Sequence, residues 1–440
     1  MLKRIQAAQA VGVKIKDAGF PSPFPAGLEY SAPARGTWNI VHTGMLIPGA
    51  HEIFVCAQGC LRGVVLTAAE MNAQDRFSMI AIKENNVLEG DMEELIIDGV
   101  TDILHRLPQQ PPAVLIYTSC IHHFLVTNLK RVYKILRERF PQIDFTDCYM
   151  NPIMRKSGLN PDQLMRRQLY AALTPLPLDP RAVNIIGNDL PTLASSEFVQ
   201  LIKNAGYTLR DITTVKSYAE YKQMAASAVN LTYNPAAVPA GDTLARRMGA
   251  VHYYLPASYD LDEIEATLHR LAEILHTDCP DVAPLRQQAD QALRETKALL
   301  GNTPVAIDYT ATFRPLSLAR LLLRYGVQVK TVYADGFLAE EASDFESIRT
   351  LCPSLMLYPT AHAAMRFARP QASQERILAI GQKAAYFTAS RHFVNVVETG
   401  GMLGFDGIVR LCGLIQDAYM HEKDTKSLIQ IKGLGCGCCF

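Results

Sequence analysis

AVLIYTSCIHHFLVTNLKRVYKILRERF, residues 113–140, contains both halves of the repeating unit on which the fold rests. It opens with an almost unbroken apolar, β-rich run, the mark of a strand in a parallel sheet covered on both faces. From Phe124 to Phe140 the apolar residues return at the i, i+3, i+4, i+7 spacing of a helix laid on such a sheet. Cys120 closes the strand. Ligands of open parallel sheets gather beyond the carboxyl ends of the strands, so this cysteine stands where a site residue would stand.

The same alternation extends in both directions. FSMIAI (77–82), AVNIIGN (182–188), ASAVNLTYN (226–234), TPVAIDYT (303–310), VQVKTVYAD (327–335), SLMLYP (354–359) and AAYFTA (384–389) read as buried strands. LASSEFVQLIKNAG (193–206), LDEIEATLHRLAEIL (261–275), PLRQQADQALRETKALLG (284–301) and PLSLARLLLRYG (315–326) read as amphipathic helices, with Gly206, Gly301 and Gly326 at their C-caps. The fold class is α/β, with parallel sheets flanked by helices. The proline-rich LTPLPLDPR (173–181) and the helix ending at Gly301 mark two joints. They predict three Rossmann-like domains: 1–178, an N-terminal arm with a first α/β domain, then 179–300, then 301–440 with a cysteine-rich tail.

At 440 residues and 49% hydrophobic, the chain can bury a large interior. Lys+Arg and Asp+Glu balance at 43 each, so no overall field favours a polyanion, and nucleic acid is not an expected partner. The opening MLKRIQAAQAVGVKIKDAGF has no uninterrupted apolar core of a signal peptide, and no stretch approaches the ~20 apolar residues of a membrane helix. The expected location is the cytoplasm, where ten cysteines serve as thiols or metal ligands rather than disulfides. There is no GxGxxG or GxxxxGK[ST] to hold a nucleotide.

In HEIFVCAQGCLRGVVLTAAE (51–70), Cys56 and Cys60 flank AQG just before an apparent helix. A helix N-terminus helps stabilise a thiolate, and the glycine lets backbone approach a bulky inorganic centre. Three thiols converging in one domain, Cys56, Cys60 and Cys120, suffice for an iron–sulfur cluster with one further ligand from elsewhere. On spacing alone CxxxC is a weak signal, and buried packing is the competing reading. Zinc is disfavoured because no CxxC knuckle precedes the tail.

IPGAHEIFVCAQGCLRG, followed by IKENNVLEGDMEELIIDGVTDIL and then AVLIYTSC, resembles the N-terminal domain of the nitrogenase component 1 superfamily. A looser similarity runs on through AVNIIGN, NLTYNPAAVPAGDTLARRMGAVHYYLP and ETGGMLGFDGIVRL. The resemblance places Cys60 on the family's helix-opening cluster cysteine and Cys120 on its post-strand cysteine. The family's first, upstream cysteine has no counterpart in NIVHTGMLIPGA, which offers His42 but no thiol. Either Cys56 substitutes, His42 ligates, or a partner supplies the ligand, so the resemblance implies a 4Fe-4S centre rather than a double-cubane 8Fe cluster.

The signature of the large molybdenum–iron cofactor is also missing. Asn234 stands near the place of its cysteine ligand, and VNVVETGGMLGFDG lacks its histidine, with His392 just upstream. The implied function is a subunit of a nitrogenase-like two-component reductase. An ATP-dependent iron protein would deliver low-potential electrons to the cluster, and the subunit would pair as a homodimer or with a similar chain. A cofactor-assembly scaffold or non-catalytic partner subunit is the alternative within the superfamily; an α/β binding module with purely structural cysteines is the alternative outside it.

Other residues carry weaker readings. Cys436, Cys438 and Cys439 in the tail GLGCGCCF are further metal-ligand candidates. Cys148, Cys279, Cys352 and Cys412 read as core packing. His122 and His123 are candidates for tuning a cluster or for helix capping, and Arg62 for offsetting its charge. Arg314, His362, Arg366 and Arg391 are candidates for binding an anionic substrate.

Overall fold

The structure is a computed structural model, described over residues 11–27, 29, 40–151, 158–366 and 376–425. Among the described residues the strands are β1 (Val13–Lys14), β2 (His51–Ala57), β3 (Phe77–Ile82), β4 (Ala113–Ser119), β5 (Asp144–Met150), β6 (Asp179–Ile185), β7 (Thr208–Asp211), β8 (Ser227–Thr232), β9 (Val251–Tyr254), β10 (Pro304–Asp308), β11 (Gln328–Tyr333), β12 (Met356–Tyr358), β13 (Leu378–Ile380) and β14 (Phe393–Val394). They form three sheets in the orders β3-β2-β4-β5, β7-β6-β8-β9 and β1-β12-β11-β10-β13-β14. Every pairing is parallel except that of the two-residue β1 with β12.

Two compact units divide the chain. One comprises Thr37–Asp189 and Gly206–Leu255 and holds the first two sheets. The other takes the described parts of Met1–Gly36, Leu190–Ala205 and Pro256–Phe440 and holds the third. The helix Glu197–Asn204, although it lies between β6 and β7 in the chain, belongs to the second unit.

In the first sheet the alternation of side chains builds two cores. Phe54, Cys56, Leu115, Tyr117 and Cys148 enter one, where Phe54 stacks on Tyr117 with centroids 4.1 Å apart. Ile53, Val55, Val114 and Ile116 enter the other, meeting Ile96 and Val100 of the helix Met92–Arg106 and Leu136 of the helix Leu129–Arg139. Both faces of β2 and β4 are thus dry, which is why IFVCA of β2 and AVLIY of β4 run apolar without alternation. β3 lies at the sheet edge and does alternate, leaving Met79 exposed.

One predicted strand is a helix. AAYFTA belongs to the helix Gln382–Thr388, which Ala389 ends in a left-handed conformation. Its Ala, Tyr and Phe fit a buried helix as well as a strand, and over so short an apolar run no period separates the two. Gly206, Gly301 and Gly326 all have positive φ at or just beyond helix ends, as expected. Among the described residues no helix is long and apolar enough to cross a membrane.

Candidate functional site

The carboxyl edge of the first sheet gathers the predicted thiols. Val55 of β2 pairs with Thr118 of β4, so one further step sets Cys56 beside Ser119 and Cys120 at the adjoining strand end. Cys56 is fully buried on the strand itself. Cys60 is exposed in the first turn of the helix Gln58–Glu70, and Cys120 is half-buried as the first residue of the helix Cys120–Phe124. Burial first, then the neighbouring thiols of Cys60 and Cys120, push the Cys56 thiol up to about 12.

Among the described residues no three Cys, His, Asp or Glu side chains close on a single metal ion. His42 is half-buried in the short helix Ile40–Gly44, which packs against the helix bearing Cys60. Cys436, Cys438 and Cys439 lie outside the described residues.

The surroundings differ from one histidine to the next. His122 is buried, its Nδ1 accepting the Ser119 N–H at 3.1 Å, and burial lowers its pKa to about 4. It is a neutral capping residue that fixes the turn after β4. His123 and Arg62 are exposed. Cys148, opposite Tyr117 on β5, is fully buried with its thiol pKa well raised, so it is a packing residue. Cys412 packs likewise. Cys279 and Cys352 are only half-buried, which corrects their reading as core residues: Cys279 lies in the irregular link before the helix Ala283–Leu300 and Cys352 caps the end of the helix Ala342–Leu351.

The same edge is unusually apolar on its outside. Leu88, at the end of the helix Glu84–Glu89 that follows β3, is 79% exposed, and Phe124 and Val126, after β4, are 66% and 85% exposed. Val126 also has φ +52°, a left-handed conformation that a β-branched residue adopts only against strain.

A second locus, which the sequence did not reveal, lies in the other unit. In the third sheet the strand order reverses between β10 and β13, the topological switch point at which α/β sheets bind ligands. Asp308 ends β10 fully buried and accepts hydrogen bonds from the N–H groups of Thr310 at 2.7 Å and Ala384 at 2.6 Å. Gly381 has φ +104°, and a Cβ there would lie 2.3 Å from Asp308 Oδ2.

Lys383 is 3% exposed, its pKa lowered by burial against the opposing charges of Asp308 and Asp335. Glu398, Thr399, Gly400 and Gly401 all have positive φ, and Glu398 and Thr399 donate N–H bonds to the carbonyls of Thr310 and Ala311, each at 2.8 Å. The Thr399 hydroxyl is buried without a hydrogen-bond partner among the described residues. The Gly-Gly pair in ETGG was the only trace of this strain in the sequence.

The proposed anion-binding arginines are otherwise engaged. Arg314 is 3% exposed, paired with Glu263 at 2.9 Å and Asp344 at 3.2 Å, which corrects its reading as a substrate group: its charge is already compensated inside the protein. Arg391 pairs with Glu422 on the surface at 2.9 Å. His392 contacts the carbonyl of Ala418 through Nδ1 at 3.0 Å, and Asn234 caps the turn Pro235–Ala237.

Residues 41–349 match the family described as Nitrogenase component 1 type Oxidoreductase, and the chain belongs to that family. Proteins of this family carry metal–sulfur clusters, work with an iron protein and form hetero-oligomers. Among solved structures, "Nitrogenase Cp1 at pH 6.5" superposes with a TM-score of 0.67 at 13% identity, covering 90% of this chain and 94% of that one. "Nitrogenase Cp1 at pH 5" gives 0.58 at 13% identity, covering 90% and 89%. At that identity the likeness concerns the fold. No curated protein matches.

Proposed function

We propose that this chain is a subunit of a nitrogenase-like reductase that holds an iron–sulfur cluster on Cys56, Cys60 and Cys120. One observation carries the reading: the β2–β4 register, which sets Cys56 and Cys120 at neighbouring strand ends, in a chain of this family. A 4Fe-4S cluster is favoured over a double-cubane, with the remaining ligand supplied by His42, by the tail cysteines or by a partner chain. When bound, such a cluster supplies low-potential one-electron chemistry. The protein's part is to seat it. Cys56 offers a fully desolvated anchor, Cys60 and Cys120 stand toward solvent, and His122 fixes the turn after β4.

The exposed Leu88, Phe124 and Val126 favour a protein partner at this edge. We assign the edge to an ATP-dependent iron protein and to a second, similar subunit, in the cytoplasm. The boundaries 1–178, 179–300 and 301–440 are retained as the proposed Rossmann-like domains. Anaerobic iron and acid-labile sulfide analysis with EPR, on wild type and Cys60→Ala, is the test. A brown, iron-containing wild type and a depleted variant are expected; unchanged iron in the variant refutes the ligand assignment. Turnover with an iron protein and ATP separates a reductase from an assembly scaffold.

A further inference from the structure

Packing does not account for Lys383. Its side chain leaves the first turn of the helix Gln382–Thr388 and is only 3% exposed, yet among the described residues its ammonium forms no ion pair and no hydrogen bond. It stands over the Tyr309 ring, 5.9 Å from the centroid. The buried arginines are placed differently: Arg166 pairs with Asp162 and Asp189, and Arg314 with Glu263 and Asp344. Burying a long cationic chain forfeits hydration and rotamer freedom, and Lys383 gains no bond in return.

The fold brings this amine to the reversal of strand order. Ile307 pairs with Ile380, so Asp308 and Gly381 follow at adjoining strand ends, and Asp308 accepts the Ala384 N–H at 2.6 Å, pinning the residue after Lys383 to the end of β10. Beyond β11, Asp335 accepts the N–H groups of Thr360 at 2.8 Å and Ala361 at 2.9 Å. Both carboxylates act on Lys383 through space. An oxyanion arriving here would meet two carboxylates for one ammonium, so charge disfavours it. A cation formed on the lysine nitrogen itself would be stabilised.

Burial, the largest influence on Lys383, lowers its pKa, so at neutral pH more of it is free amine than of a surface lysine. A desolvated lysine amine is the nucleophile that carbonyl compounds engage.

We propose that Lys383 is a covalent anchor for a small aldehyde or ketone at the switch point of the third sheet, apart from the cluster site. The amine nitrogen attacks the carbonyl carbon, and the carbinolamine so formed loses its oxygen as water while C=N replaces C–O. In sum, an ammonium and a carbonyl give an iminium and water. The positive charge is kept, with Asp308 and Asp335 as counter-ions, and no electrons are exchanged.

The full-length protein, treated anaerobically at pH 6.5 with acetaldehyde and cyanoborohydride, tests it, because the hydride reduces the iminium to a stable secondary amine that peptide mass spectrometry locates. Ethylation of Lys383 is expected to run at least about tenfold faster than that of the exposed Lys330. A lysine buried for structure alone would be modified only after denaturant is added. Lys383 left unmodified in the folded protein, or modified no faster than Lys330, overturns the inference. The readout does not depend on iron content, so its failure leaves the cluster assignment untouched.

Discussion

Val55 of β2 pairs with Thr118 of β4, and this single register pair brings Cys56 and Cys120 to neighbouring strand ends. A slip of one residue would turn Cys56 to the opposite face of the sheet, among Ile53 and Val55. The thiols of the metal-free protein should therefore differ in reactivity. The Cys56 thiol, pushed up to about 12 and fully buried, is almost wholly protonated at pH 8, whereas Cys60 is exposed. With iodoacetamide under anaerobic conditions, peptide mass spectrometry should show Cys60 alkylated first, Cys120 more slowly, and Cys56 and Cys148 only after denaturant is added. Early labelling of Cys56 would contradict the burial.

The strands that carry the thiols were legible because both of their faces are covered, which writes an apolar run into the sequence. Cys60 and Cys120 read as candidate site residues because each falls in the first turn of a helix that follows such a run. Lys383 and Asp308 were not. They come together only through the pairing of β10 with β13, across 74 intervening residues of chain, and a lysine inside an apolar helix carries no local signal of burial. Arg314 misled for a related reason: its compensating partners, Glu263 and Asp344, lie on other helices, so the sequence displays the charge without its neutralisation.

Gly381 should tolerate no side chain. Its φ of +104° is unfavourable for any L-residue with a Cβ, and that Cβ would meet the buried Asp308 carboxylate. Gly381→Ala is expected to cost about 3 kcal/mol, combining backbone strain with overpacking. Gly413→Ala, in the helix Gly404–Met420 of the same unit with nothing within 4 Å of the added methyl, should gain about 0.5–1 kcal/mol. Denaturant midpoints of the two variants check the contrast.

The pH dependence of stability should have two flanks. Glu341 is fully buried; burial foremost, with Asp344 adding, raises its pKa from 4.5 to about 7 against the pull of the Leu316 and Leu338 N–H groups and Arg314. The stability it contributes is complete below pH 4.5 and is lost as pH rises through about 7. The full loss is on the order of 3 kcal/mol. His51 runs the other way, since burial, then Arg76, lower its pKa from 6.5 to about 4. Its contribution is present above pH 6.5 and is lost as pH falls through about 4. Urea unfolding from pH 4 to 8 should show a flatter alkaline flank in Glu341→Gln and an unchanged acid flank.

Arg314 provides the sharpest separation between a structural and a ligand-binding charge. It joins Glu263 and Asp344, and Asp344, with no exposed side chain, shares itself between Arg314 and Arg320. Removing one member of a buried ion network strands the others in a medium that solvates them poorly, so Arg314→Met should destabilise the protein by about 3–5 kcal/mol. Adding Glu263→Gln should recover part of that loss, because the stranded partner is then neutral, and the non-additivity should exceed ~1 kcal/mol. A substrate-binding arginine would behave otherwise: its loss would leave the unfolding midpoint near that of wild type, and Glu263→Gln would restore nothing. The two unfolding midpoints therefore decide the role of Arg314 before any substrate is known.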